Sequence, residues 1–280
     1  MPDVQLKRAG EIAYREAIGE ADGDRESLSV LLIHGYPESS FMWRDLLPPL
    51  AASGRRAIAP DLPGYGSSPP FLSGTWESHM EALDQFRRHL ELDRVALIVH
   101  DWGGLIGMRW ACDNPDAVGV LVVSNTGFFP DGKWHGFAKA LREPGTGEQL
   151  MAGFDRDGFG AVMRGSSSGM TDEAIDEYWK AYADDTRRRA QLELYRSGDF
   201  AKLEGYDLAA LGVPTLLLWG EDDEFAPVAG AHRFQRELAD TELVVVDRAR
   251  HFVWEDAPAA CAEALTGFLA RVRGSGARSS

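Results

Sequence analysis

Eight short apolar runs punctuate this chain, and between most of them lie segments with the 3.6-residue period of amphipathic helices. The runs at Ser29–Ile33, Arg56–Ala59, Val95–Val99, Val118–Val123, Thr215–Trp219 and Leu243–Val246 are dense in Val, Ile and Leu and do not alternate with polar residues. Strands buried on both faces read this way, which points to a mostly parallel sheet wrapped by helices. Val4–Leu6, a turn at Gly10 and Ile12–Tyr14 predict an opening hairpin. Met80, Leu83, Phe86 and Leu90 mark one intervening helix face.

The rhythm stops after Gly127 and resumes at Val213. In between, Thr171 is placed to cap a helix whose Ile175, Tyr178, Trp179 and Tyr182 fall on one apolar face. The division expected is therefore a core of residues 1–127 and 212–280, with a helical cap of 128–211 inserted over the sheet. A small, polar tail from Gly274 to Ser280 is expected to fray. With 44% hydrophobic and 26% charged residues, the 280-residue chain has the balance of a globular protein.

Composition also narrows the partners. Lys and Arg total 29 against 44 Asp and Glu, a net charge of −15 that repels phosphate backbones and anionic lipid. No nucleic-acid or membrane partner is expected, and oligomeric state is not legible. The first ten residues lack a secretory pattern, and Cys112 and Cys261 both sit in apolar helical patterns, so a cytoplasmic protein with two free thiols is expected. No His-x-x-x-His or Cys-x-x-Cys spacing predicts a metal, and no glycine fingerprint between strand and helix predicts a nucleotide cofactor.

The chemistry concentrates in Val95-Ala-Leu-Ile-Val-His100-Asp101-Trp102-Gly103-Gly104. It reads as strand, one sharp turn, then a helix from Gly103 to Asp113. The nucleophile elbow has this shape, commonly written Gly-x-Ser-x-Gly; here Asp101 fills the serine's place, Gly103 is the downstream small residue and Val99 replaces the upstream glycine. A carboxylate nucleophile that attacks carbon leaves an ester, and hydrolysing that ester takes a base. His251 follows the last strand run, and Asp223 in Gly220-Glu-Asp-Asp223 follows the one before it. Nucleophile, acid and base thus occur in the order of elbow-type hydrolases, each just past the C-terminal end of a strand. His34-Gly35-Tyr36-Pro37 follows an earlier strand, and the N–H groups of Tyr36 and Trp102 are candidates for an oxyanion hole.

From about residue 10 to 272 the chain resembles the α/β-hydrolase superfamily, and its motifs are similar to the branch of haloalkane dehalogenases and epoxide hydrolases. The resemblance implies an α/β-hydrolase fold, an aspartate nucleophile, no cofactor, and a small apolar electrophile with water as substrates. Halide release needs N–H donors for the leaving anion: Trp102, and Trp134 or Trp179 from the cap. Epoxide opening needs an acid, for which Tyr195 in Leu192-Glu-Leu-Tyr195-Arg196 is the candidate, although Phe137 stands where a partner tyrosine is expected. Asp101-Trp-Gly-Gly-Leu-Ile-Gly-Met-Arg109 with Ser124-Asn125-Thr-Gly127 is similar to a dehalogenase subgroup whose acid follows the later strand. Haloalkane dehalogenase is the preferred reading, epoxide hydrolase the alternative, and a non-catalytic binding module the further one. Gly165-Ser-Ser-Ser-Gly169 matches the serine elbow literally but lacks a preceding strand and reads as a flexible loop, while Arg187-Arg-Arg189 is expected to face solvent.

Overall fold

A computed structural model describes residues 2–19 and 28–276, with side chains to 272. Its eight strands are β1 (Gln5–Ala9), β2 (Ile12–Ile18), β3 (Ser29–Ile33), β4 (Arg56–Pro60), β5 (Val95–His100), β6 (Val118–Ser124), β7 (Thr215–Gly220) and β8 (Thr241–Val246). They form one sheet in the order β1-β2-β4-β3-β5-β6-β7-β8, antiparallel at β1/β2 and β2/β4 and parallel elsewhere. All six residues of β5 and all seven of β6 are buried, as their unbroken apolar runs require. At about 1.5–3 kcal/mol for each fully buried Val, Leu or Ile, these central strands anchor the register of their neighbours. β8 differs from expectation: it is the sheet edge, and every residue in it is at least partly exposed.

The helices are α1 (Leu47–Ala52), α2 (Trp76–His89), α3 (Trp102–Asp113), α4 (Gly136–Arg142), α5 (Thr146–Gly153), α6 (Arg156–Ser166), α7 (Asp172–Trp179), α8 (Asp185–Ser197), α9 (Ala229–Glu237), α10 (Val253–Asp256) and α11 (Pro258–Gly276). None is long and apolar enough to cross a membrane among the described residues. α4 to α8 form the insertion between β6 and β7. Thr171 caps α7, its Oγ1 accepting from the Ala174 N–H at 3.1 Å, and Ile175 and Tyr178 are wholly buried. The Tyr178 hydroxyl hydrogen-bonds Glu255, which also accepts two 2.7 Å bonds from Arg44, so the insertion is latched to the core through a buried carboxylate.

Three further expectations change. Gly165 and Ser166 end α6, and Ser167 is buried with its hydroxyl on Asp256 at 2.6 Å, because the segment docks against α10 instead of looping freely. Arg187 is half-buried and donates to the Gly64 carbonyl at 2.8 Å, tying α8 to the core where solvent was expected. α11 runs on through Gly276, so the fraying expected from Gly274 does not begin there, and residues 277–280 lie outside the described residues. Cys112 and Cys261 are both free thiols.

Candidate active site

The site is built on the C-terminal ends of the parallel strands. Between β5 and α3 the chain reverses at Asp101, whose φ of 47° and ψ of −122° are conformations that an L-residue adopts only under constraint. Several contacts impose them. The Asp101 carbonyl accepts from the Thr126 hydroxyl at 2.7 Å and from the Gly104 N–H at 2.8 Å. A Cβ on Gly103 would lie 2.3 Å from the Ile33 carbonyl oxygen, so only glycine lets α3 start this close to β3. The upstream glycine of the usual elbow is absent because the space is made on the other side: a Cβ at Gly107 would stand 2.7 Å from Val99 Cγ1.

The same bend puts the Asp101 carboxylate against the turn after β3. A Cβ on Gly35 would come 2.4 Å from Asp101 Cβ. The next residue, Tyr36, donates its backbone N–H to Asp101 Oδ1 at 2.8 Å. His34 holds this turn from beneath: its Nδ1 meets the Gly35 carbonyl at 2.8 Å, and its Nε2 accepts from the Leu62 N–H at 2.9 Å. Full burial pushes the His34 imidazole down to about 4, so it serves as a neutral brace.

Asp101 Oδ2 faces His251, with Nε2 at 3.5 Å. His251 Nδ1 meets Asp223 Oδ2 at 2.9 Å. Asp223 Oδ2 also accepts from Asn125 Nδ2 at 2.7 Å, and its Oδ1 accepts the N–H groups of Phe225 and Ala226 at 2.7 and 3.0 Å. With four donors around it, Asp223 can only be an acceptor, and it fixes the His251 proton on Nδ1 and leaves Nε2 toward Asp101. Burial alone would raise the Asp223 carboxyl, but the His251 charge and these donors hold it below its usual range. Burial likewise opposes both partners in the Asp101–His251 contact; their mutual hydrogen bond and charge win, lowering Asp101 and raising His251 well above the ordinary histidine value.

Behind His251 is a second buried pair. Glu38 and His100 are both fully buried, with Glu38 Oε2 3.4 Å from His100 Nε2. Ser124 Oγ donates to the Val99 carbonyl and accepts from Trp254, so His100 Nδ1 must be its second donor at 3.3 Å and Nε2 is bare. Burial pushes Glu38 well up and His100 down to about 3, leaving a neutral acid facing a neutral imidazole.

Two cavities open above Asp101, of about 260 and about 180 Å³, and Asp101, His251, His135, Tyr195 and Phe225 line both. Trp102 and Trp134 border the larger one, their rings 5.3 Å apart at 24°. The Tyr195 ring packs edge-on to Trp102 at 5.3 Å and to Tyr36 at 4.9 Å, and the Tyr36 and Tyr182 hydroxyls hydrogen-bond each other. The fold thus brings Asp101, Asp223, His251, Tyr36, Trp102, Trp134 and Tyr195 together. It does not bring Trp179, which stacks on Tyr182 at 5.4 Å and 5° and lines neither cavity. Phe137 lines the smaller cavity.

His135 was not singled out from the sequence. It caps α4, Nδ1 accepting from Ala138, while its ring lies 4.9 Å from Phe225. Its only sequence signal was an N-cap position after Trp134, which is common in any helical segment. Among the described residues no cluster of His, Cys, Asp or Glu is arranged to hold a metal ion.

A family profile described as the alpha/beta hydrolase fold matches residues 29–258. A haloalkane dehalogenase of Mesorhizobium japonicum is 30% identical over 266 residues, 87% of this chain and 85% of that protein. One from Psychrobacter cryohalolentis is 26% identical over 89% of this chain and 85% of its own length. Among solved structures, a loop variant of the Bradyrhizobium elkanii haloalkane dehalogenase superposes with a TM-score of 0.81 at 26% identity, covering 99% of this chain and 100% of that one. A Pseudomonas aeruginosa protein provisionally described as an epoxide hydrolase superposes with a TM-score of 0.79 at 26% identity, over 98% and 97% of the two chains.

Proposed function

This chain belongs to the α/β-hydrolase fold family and, within it, to the haloalkane dehalogenases, and we propose that it hydrolyses small apolar haloalkanes to alcohol and halide. The observation that carries the reading is a constrained aspartate facing a histidine–aspartate pair in the same cavity as two near-parallel indoles. Residues 128–211 act as the cap that closes this cavity. A cytoplasmic setting fits the two free thiols.

In the first step Asp101 Oδ2, the oxygen not engaged by Tyr36, attacks the carbon bearing the halogen. A C–O bond forms and the C–X bond breaks. The halide leaves with the bonding pair and is stabilised by the indole N–H groups of Trp102 and Trp134. The ester so formed carries no charge on residue 101, so His251 loses one of the two carboxylates that raised its pKa. It becomes a neutral base at the stage that needs one. His251 Nε2 then takes a proton from water, and the hydroxide adds to the Asp101 carbonyl carbon. The backbone N–H groups of Tyr36 and Trp102 hold the oxyanion until it collapses to alcohol and free carboxylate. The proton that His251 gave to solvent on turning neutral balances the departed halide, and the one it takes from water restores the starting His251–Asp101 pair.

Tyr195 favours one alternative: it lines the cavity with Asp101 and Trp102, where its hydroxyl would protonate an epoxide oxygen. Halide release and diol formation, followed with 1-bromobutane and styrene oxide, separate the two. In His251→Gln the ester should persist, and intact-mass measurement should find a butyl adduct on Asp101. An adduct from the epoxide alone would overturn the dehalogenase reading, and no adduct from either would leave a binding module.

A further inference from the structure

The two cavities meet at the reacting atoms and diverge from there. The partition runs along His135, Phe225 and Tyr195, which line both, while the Asp101 and His251 side chains reach into each. The smaller lobe is lined by Phe137, Phe154, Phe159 and Met163. The larger contains Phe129, Trp134 and Phe200 beyond the indole of Trp102.

An in-line displacement puts the leaving group opposite Asp101, on the Trp102 side, and sends the other substituents of the carbon sideways. A leaving halide cannot account for the larger lobe. A water, similar in size, needs only about 10–15 Å³ of such space, against about 260 Å³ here. A terminal haloalkane has one arm and would leave a lobe unfilled and hydrated.

Resting on the dehalogenase reading, we propose that the preferred substrates are secondary haloalkanes, reacting at a chain-internal carbon with one apolar arm in each lobe. Each arm removes its own apolar surface from water, so affinity for the two-armed substrate depends on both lobes at once. Tyr195 and Phe225, at the fork, hold the reacting carbon over Asp101.

The test fills each lobe in turn. A Cβ on Gly127 meets nothing within 4 Å, so Gly127→Phe extends into the larger lobe. Ser166 lines the smaller lobe, and Ser166→Phe is the filler there. The measurement is kcat/KM for 5-bromononane, 1-bromohexane and bromoethane with both variants, thermal melts recording that each is folded. Either filler should cost 5-bromononane at least about tenfold relative to bromoethane, whereas 1-bromohexane should respond to one filler alone. Equal losses for all three bromides with Gly127→Phe would make that lobe a passage and overturn the proposal, as would indifference of 5-bromononane to either filler. Should the wild type release bromide from none of them, the dehalogenase reading fails separately. Tryptophan fluorescence titrations with 5-nonanol and 1-hexanol then decide the shape of the site, since only the two-armed alcohol should weaken with both fillers.

Discussion

Replacing Asp223 by asparagine isolates one step of the proposed cycle. The four groups that point at this carboxylate are all donors: His251 Nδ1, Asn125 Nδ2 and the N–H groups of Phe225 and Ala226. An asparagine has to set its own NH₂ against two of them. Asn125 cannot easily turn its amide to help, because its Oδ1 accepts from the Gly220 N–H at 3.4 Å. The relief that remains is for His251 to move its proton to Nε2 and accept at Nδ1, the tautomer that cannot deprotonate water. In a serine protease the corresponding change lowers kcat by about 10⁴. A fall of roughly 10³–10⁴ in steady-state turnover is expected here, with about 1–3 kcal/mol lost from stability for the mismatched donors. Attack by Asp101 needs no base, so the first release of halide should survive. Rapid-quench halide measurement should find a burst near one equivalent, followed by almost none. A burst lost in proportion to the steady state, or a steady-state loss below about tenfold, would refute the assignment of Asp223 to the second step alone.

The charge relations in the site predict a pH dependence. Because His251 must be neutral in the ester, kcat should fall on acidification through its pKa there, while kcat/KM, set by attack of the ionised Asp101, should stay level over the same range in a bromide-release assay. Glu38 gives a stability prediction of opposite sign to the usual carboxylate. Its folded pKa is raised, so above about 4.3, the unfolded value, the unfolded chain releases a proton that the folded one keeps, and stability falls with rising pH. Glu38→Gln should therefore gain melting temperature over the wild type at neutral pH and lose that gain toward pH ~4; a pH-independent difference would contradict a neutral Glu38. Packing at the elbow predicts that Gly107→Ala, whose Cβ would meet Val99 Cγ1 at 2.7 Å, costs about 1–3 kcal/mol in denaturant melts. Val99→Ala in the same chain should recover much of it, and additive losses would show that the two positions are not coupled.

What local stereochemistry governs was legible in the residues. The strand runs, the reversal at Asp101, the glycine needed at 103 and the chain order of Asp101, Asp223 and His251 depend on neighbours a few residues away, or on where each strand ends. Asn125 stands out only as part of the Ser124-Asn125-Thr-Gly127 motif; its bond to Asp223 joins the ends of β6 and β7 and needs the sheet to exist. The buried Glu38–His100 pair likewise needs the chain after β3 brought beside the end of β5. Within the insertion, periodicity placed Trp179 on an apolar helix face with Tyr182 and could not tell which aromatic side chains reach the cavity. Only packing put Trp134 beside Trp102, left Trp179 stacked in the helical layer and made His135 part of the fork between the lobes. A helix face announces that it will be buried; what it is buried against is settled by contacts between segments far apart in the chain, and the shape of the substrate space follows from those contacts.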